Sequence, residues 1–167
     1  MGHTTIGALV PLQNKPLKME GFRHAHRVHG LHLEDNQLLE PAGFSMEAGF
    51  QAMDILAGRN PAMTAVFASS DMFALGAMRW AKLKGKRVPE DLSVVGYDNI
   101  EFGAYSHTTL TSVCNDGADL AKVASEKLVA LMEGGSHLPA PTLTLLPGEL
   151  VIRESSARPG QRSWVAI

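Results

Sequence analysis

The feature that most constrains this chain is a repeated alternation of two kinds of segment. Short, continuously apolar runs with β-branched members are followed by polar or glycine-containing turns, and then by stretches whose apolar residues recur at helical spacing. Thr4 to Val10, Thr64 to Ala68 and Leu92 to Tyr97 are such runs. A strand apolar on both sides has no face for water, so it belongs in a parallel sheet covered by helices. Leu110 to Val113 reads as a further short strand and Gln37 to Glu40 as a weak one.

The intervening segments read as helices. From Pro16 to about His29, Leu17, Met19, Phe22 and His26 fall near one face. Pro16 suits the first turn because it forfeits no internal hydrogen bond there, and Gly30 stops the helix. Ser45 offers a capping hydroxyl to a helix in which Met46, Phe50, Met53 and Ala57 recur and which Gly58 ends. Ser69 and Ser70 cap a helix from Asp71 to about Lys84. Asp116 caps another, to about Glu133, whose Leu120, Ala124, Leu128 and Leu131 form one stripe before Gly134-Gly135. Thr142 to Arg153 reads as extended and bent at Pro147-Gly148, with a frayed end after Ser155.

The pattern predicts an α/β fold, a parallel sheet flanked by helices on both faces, in which ligands bind beyond the carboxyl ends of the strands. That rule puts the candidate positions at Pro11 to Lys18, Ala42 to Ser45, Ser69 to Asp71, Asp98 to Glu101, and Asn115.

Composition narrows the function classes. The 167 residues suit one domain, and a net charge of -2 lacks the basic excess of a nucleic-acid-binding domain, so this chain alone is not expected to grip DNA. Apolar stretches such as Met72 to Met78 fall far short of the roughly 20 residues of a membrane span, so no membrane association is expected. The opening MGHTTIGALVPLQNKP has no basic leader and reads as a strand inside a fold, not a signal peptide. Cys114 is the one cysteine, which rules out an internal disulfide and reads as a small apolar residue. His24, His26, His29 and His32 look like a metal cluster, but a helix puts 24 and 26 on different faces, so no metal is expected. Hydrolase, phosphate-loop and dinucleotide motifs are absent, and no cofactor is expected.

Two segments are more specific than any pattern: AVFASSDMFALGAMRWAKLKGKRVPEDLSVVGYDNI at 65–100 and LTSVCNDGADLAKVASEKLVALMEGG at 110–135. With GHTTIGALV at the start, MEGFRHA at 19–25 and LPGELVIRES at 146–155, they resemble, in order, the lactose-repressor/galactose-repressor (LacI/GalR) family of bacterial transcription regulators. The resemblance implies a periplasmic-binding-protein-like core of type I: two similar α/β subdomains with a small-molecule effector, commonly a sugar or nucleobase, in the cleft between them. Residues 1–113 and 148–155 resemble the effector-binding subdomain distal to DNA, nearly complete. Residues 114–135 resemble a crossover helix belonging to the DNA-proximal subdomain, and 156–167 are left as a C-terminal tail. The helix-turn-helix head has no counterpart here.

The resemblance also implies roles for single residues. Asp98 falls where family members place an acidic residue that accepts hydrogen bonds from effector hydroxyls, and an ionised carboxylate can hold two neighbouring hydroxyls at once. Ser70 lies where many members have an effector-binding Asn. Lys18 lies where many have the Arg of an R-x-x-G-[F/Y] pattern, here K-M-E-G-F; lysine keeps the charge and loses the planar fork. Phe44 matches an often aromatic position suited to stacking on a sugar ring, Asn115 stands where Gln is common, and Asn99 replaces a frequent second Asp. Met46, Phe50, Met72, Leu75 and Met78 fall at the family's dimer interface.

Plainer roles stand beside these. Asp98 also suits a turn after a strand, Ser70 a helix cap, and Phe44 a core position. Asp71 reads as a helix-start residue stabilised by the positive end of the helix dipole. The helix from Asp71 is apolar around much of its circumference, at Met72, Phe73, Leu75, Met78, Trp80 and Leu83, which either a partner subunit or the same chain would cover. The expected function is the effector-binding and dimerisation portion of a cytoplasmic regulator, not an enzyme, reaching operator DNA only through a head absent from this chain. A sugar-binding protein of a transport system is the alternative of another class. A phospho-receiver domain would need an acidic pair after the first strand, where PLQN stands at 11–14.

Overall fold

The computed structural model describes residues 2–11, 16–114, 117–133 and 143–160. In chain order they form β1 (Ile6–Leu9), α1 (Pro16–Val28), β2 (Leu38–Leu39), α2 (Met46–Arg59), β3 (Ala65–Ala68), α3 (Asp71–Leu83), β4 (Ser93–Tyr97), α4 (Glu101–Ala104), β5 (Thr111–Cys114), α5 (Gly117–Glu133) and β6 (Glu149–Val151). One sheet runs in the order β2-β1-β3-β4-β5-β6. The first five strands are parallel, and β6 lies antiparallel on β5.

The doubly wound fold expected from the sequence is thus present, with three corrections. The last extended segment joins antiparallel, as a strand must when the chain returns beside its predecessor without crossing the sheet. Gly58 does not end α2, which continues to Arg59 and is closed where the Asn60 amide reaches the Leu56 and Ala57 carbonyls. The expected fraying after Ser155 starts too early. Ser155 is fully buried, donating from its hydroxyl to Val94 O at 2.6 Å, and Ala157 donates from its amide to Ser93 Oγ at 3.1 Å.

The two faces of the sheet are unequally covered. On one, α2 and α3 bury Leu9, Met53, Leu56, Phe73, Leu92, Val94 and Leu110, each side chain contributing roughly 1.5–3 kcal/mol through removal from water. The two helices meet backbone to backbone: a Cβ on Gly49 would lie 2.5 Å from Phe73 Cα, and one on Gly76 would lie 2.6 Å from Phe50 N. Only hydrogen at both positions permits this approach. On the other face α1 covers Ala8, Val10 and Leu38, with Phe22 stacked on Phe67 at 5.9 Å, whereas Leu17, expected on the same face, is 69% exposed. Beyond β3 this face opens into a groove of about 480 Å³ lined by Val95, Leu150 and Ile152 among others.

No described side chain of α5 is buried, and Leu120, Leu128 and Leu131 of its stripe are exposed. Around α3, Phe73 and Trp80 are buried in the same chain, while Met72, Leu75 and Met78 are half-buried and Leu83 is exposed. The apolar circumference of α3 is therefore explained in part by its own chain.

Candidate functional site

The carboxyl ends of β3, β4 and β5 converge on the corner Asp98-Asn99, which follows β4 directly. Both residues have positive φ, 109° at Asp98 and 52° at Asn99. Asparagine tolerates the left-handed region, whereas at Asp98 such a backbone costs about 1–3 kcal/mol and persists only where neighbours hold it.

Val113, Ser112 and Asp71 are those neighbours. The Asp98 amide donates to Val113 O at 2.9 Å, and the Asn99 amide donates to Ser112 Oγ at 3.0 Å. The Ser112 hydroxyl donates in turn to Asp71 Oδ1 at 2.6 Å, and the Ile100 amide donates to Asp71 Oδ2 at 2.8 Å. Asp71 is fully buried, which pushes its carboxyl above the ordinary range against the lowering pull of its donors. A side chain at Gly96 would collide with this carboxylate, so β4 needs glycine where it passes Asp71. Asp71 does stand in the first turn of α3, but the helix-start reading missed its larger part. It is the buried anchor of the corner, and a single sequence carries no signal of a carboxylate bonded to a distant strand and a distant loop.

The corner presents Asp98 outward, its side chain exposed. The Ser70 hydroxyl donates to Asp98 Oδ2 at 2.9 Å and also accepts from the Met72 amide at 3.4 Å. Ser70 is thus a helix cap that also bonds the Asp98 carboxylate. Lys18, on α1, donates to Ser69 O at 2.8 Å, and its ammonium lies 3.3 Å from the centroid of the Tyr97 ring, an attraction typically worth about 0.5–2 kcal/mol. Lys18, Ser70, Tyr97 and Asp98 therefore form one cluster of cation, hydroxyl, aromatic face and carboxylate. Tyr97 was not singled out in the sequence, although its place just before Asp98 at the end of β4 was a signal.

The other candidates separate. Phe44 is 62% exposed before α2, its ring edge-on to Phe73 at 5.2 Å, so it is not a core residue. Asn115 lies outside the described residues. Asn99 is not an idle replacement: Arg153 Nη2 donates to its Oδ1 at 2.8 Å. The histidines do not converge. His24 pairs with Arg27, and His26 turns inward, its Nδ1 3.0 Å from Phe22 O. Among the described residues no group of three His, Cys, Asp or Glu could hold a metal ion, and no helix is long and apolar enough to cross a membrane. Met46, Leu75 and Met78 line one groove of about 890 Å³, bordered by Arg79, Lys82 and Phe102. Cys114 is half-buried, not enclosed in the core as a small apolar residue would be.

Comparison with known proteins gives this geometry a setting. Residues 1–156 match the model of the periplasmic binding protein-like domain. The chain is 35% identical over 158 residues to the HTH-type transcriptional repressor CytR of Escherichia coli K12, covering 93% of this chain and 46% of that protein. It is 38% identical over 169 residues to the HTH-type transcriptional regulator MalR of Streptomyces coelicolor, covering 97% and 48%. The chain thus spans about half the length of the curated relatives it matches. Among solved structures, a complex of the transcriptional regulator CelR with cellobiose superposes with a TM-score of 0.86 at 30% identity, over 93% of this chain and 47% of that one. A LacI family transcriptional regulator from Enterococcus faecium with bound ribose superposes with a TM-score of 0.78 at 30% identity, over 93% and 57%.

Proposed function

The chain belongs to the periplasmic binding protein-like domain family, and from that premise we propose that it is the effector-binding and dimerisation portion of a bacterial LacI/GalR-type transcription regulator. The observation that carries the reading is the Asp98 corner, a strained and braced backbone that presents an exposed carboxylate beside Lys18 and Ser70. Strain held in place at a surface corner is the signature of a built site. The ligand class is a neutral carbohydrate. Asp98 accepts from a pair of vicinal hydroxyls, Lys18 donates to a ring or hydroxyl oxygen, and Phe44 offers an aromatic face to the apolar side of a sugar. The relatives named with cellobiose and ribose support that class.

The site binds and does not catalyse. Occupancy would favour one closure of the complete cleft and so alter a DNA-binding head carried elsewhere in a full-length regulator, working in the cytoplasm. Residues 1–113 and 148–155 serve as the effector subdomain, and α5 with its flanks serves the other half. Met46, Phe50, Met72, Leu75 and Met78 meet a second copy across a two-fold axis. The groove along α3 is the surface that supports this, since two-fold dimers bury self-complementary apolar patches.

The test is a titration of the isotopically labelled chain with D-ribose and with cellobiose, followed by NMR. With one half of the cleft supplied, the expected affinity is about millimolar, roughly -4 kcal/mol, with shifts confined to Lys18, Phe44, Ser70, Tyr97 and Asp98. Asp98→Asn should abolish them. Shifts that persist in the variant would remove Asp98 from the site, and no shift with either sugar would refute carbohydrate binding here.

A further inference from the structure

Arg153 stands two residues beyond β6, far in sequence from every residue of the effector site. Its guanidinium reaches back over the end of β5: Nη1 donates to Leu110 O at 2.7 Å and Nη2 to Asn99 Oδ1 at 2.8 Å. Leu110 is fully buried and fixed in the core, so one arm of the fork is anchored to a rigid carbonyl while the other holds the side chain of the second corner residue. The planar guanidinium couples these two bonds in one geometry, which a lysine could not do.

The consequence follows from what each brace restrains. Asp71 and Ser112 hold the corner from within, through the amides of Ile100 and Asn99. The Asp98 amide is held by Val113 O. These bonds hold the backbone at its amides, whereas the Arg153 guanidinium holds the Asn99 side chain, on a residue whose backbone is left-handed immediately after Asp98. We infer that Arg153 is a positioning residue: it locks Asn99 in the left-handed conformation and thereby aims the Asp98 carboxylate at the ligand. The same argument gives Asn99 a purpose. A neutral acceptor takes the guanidinium's hydrogen bond without placing a second full negative charge beside Asp98, where it would repel the Asp98 carboxylate. The inference rests on the effector reading for what Asp98 is aimed at, but the lock itself is a property of this chain without any ligand.

The test is amide hydrogen exchange by NMR on the full 167-residue chain, in the wild type, Arg153→Met, Asn99→Asp and Arg153→Lys. Arg153→Met keeps the bulk of the side chain and removes both donated bonds. Exchange at Asn99 and Ile100 should then quicken about tenfold, the loss expected for a hydrogen bond to a charged group, while Val66 and Val94 in the core stay as they were. Arg153→Lys should restore little of the protection, because it cannot make both bonds. Asn99→Asp converts the bond to an ion pair and should slow exchange at the corner several-fold; it decides the matter if Arg153→Met fails to fold. Unchanged exchange at Asn99 and Ile100 in Arg153→Met and Asn99→Asp, or full rescue by lysine, would overturn the lock. A D-ribose titration of the same samples separates the two readings: altered corner exchange with no sugar-induced shift in the wild type would sink the effector reading and leave the lock standing.

Discussion

Replacing Gly49 by alanine sets two well-measured effects against each other. In an exposed helix the change is favourable by about 1 kcal/mol, because alanine loses less backbone freedom on folding. At Gly49 the new methyl carbon would stand 2.5 Å from Phe73 Cα and 2.6 Å from Phe73 O, against an ordinary contact that begins at 3.4 Å. The obstacles are backbone atoms, so no rotamer change relieves them, and α2 must move away from α3 by about 0.9 Å along that line. Overpacking of this kind costs typically 1–3 kcal/mol, and a contact this close to backbone belongs at the upper end. The net is a destabilisation of about 2 kcal/mol. For a chain of this length that lowers Tm by about 4–8 °C, read as thermal unfolding by circular dichroism. Gly58 is the internal control: it lies in the same helix with nothing within 4 Å of its virtual Cβ, so Gly58→Ala should raise Tm by up to about 2–4 °C. A Gly49→Ala protein that melts at or above the wild type would show that the helices do not meet as described, and the account of the core would fall with it.

Other outcomes follow from features of the same kind. Burial raises the folded-state pKa of Asp71, so the native state binds its proton more tightly than the unfolded state does. Wild-type stability from this group is therefore fully present below the ordinary carboxylate range and is lost as pH rises through the raised value. Asp71→Asn lacks the effect, so its disadvantage, measured by urea unfolding, should be greatest at acidic pH and shrink toward neutrality; a disadvantage that grows with pH would refute the assignment. Met78→Glu puts a charge into the groove beside α3 and tests the proposed dimer: analytical ultracentrifugation should give a lower mass than for the wild type, with an unchanged mass excluding this face. Leu128, 59% exposed on α5, belongs to an apolar stripe with no partner among the described residues, so Leu128→Asp should raise the solubility of the chain and reduce light scattering; equal or lower solubility would mean that the stripe is covered.

How much of this could be read from the sequence depends on how local the cause was. The runs Thr64 to Ala68 and Leu92 to Tyr97 announced β3 and β4 because a strand buried on both sides can be little else, and the serines before α2 and α3 announced their caps. The end of α2 was misplaced because glycine is read as a stop by rule, whereas Gly58 keeps helical hydrogen bonding and Asn60 does the capping. The sense of β6 was not legible, since three residues, two of them exposed, carry no direction. At the site, Asp98, Ser70 and Lys18 are legible through the resemblance, and they lie close together in the structure. Asp71 and Arg153 were not credited with their parts because both act through bonds to residues 29 and 54 positions away, which no local pattern encodes.

The antiparallel pairing of β6 with β5 has an engineering consequence. Cys114 and Glu149 face each other across the ladder, so the point where the chain departs for α5 and the point where it comes back are neighbours. Everything between them is an insertion with adjoining ends, and adjoining antiparallel ends are what a two-residue Asn-Gly hairpin joins. Excising residues 115–148 and closing the gap with such a turn would leave the sheet's hydrogen-bonded order intact and lower the entropy lost on closing the loop. The sheet with its flanking helices α1 to α4 is, in that sense, already a detachable cassette, with a seam that another module could be spliced into.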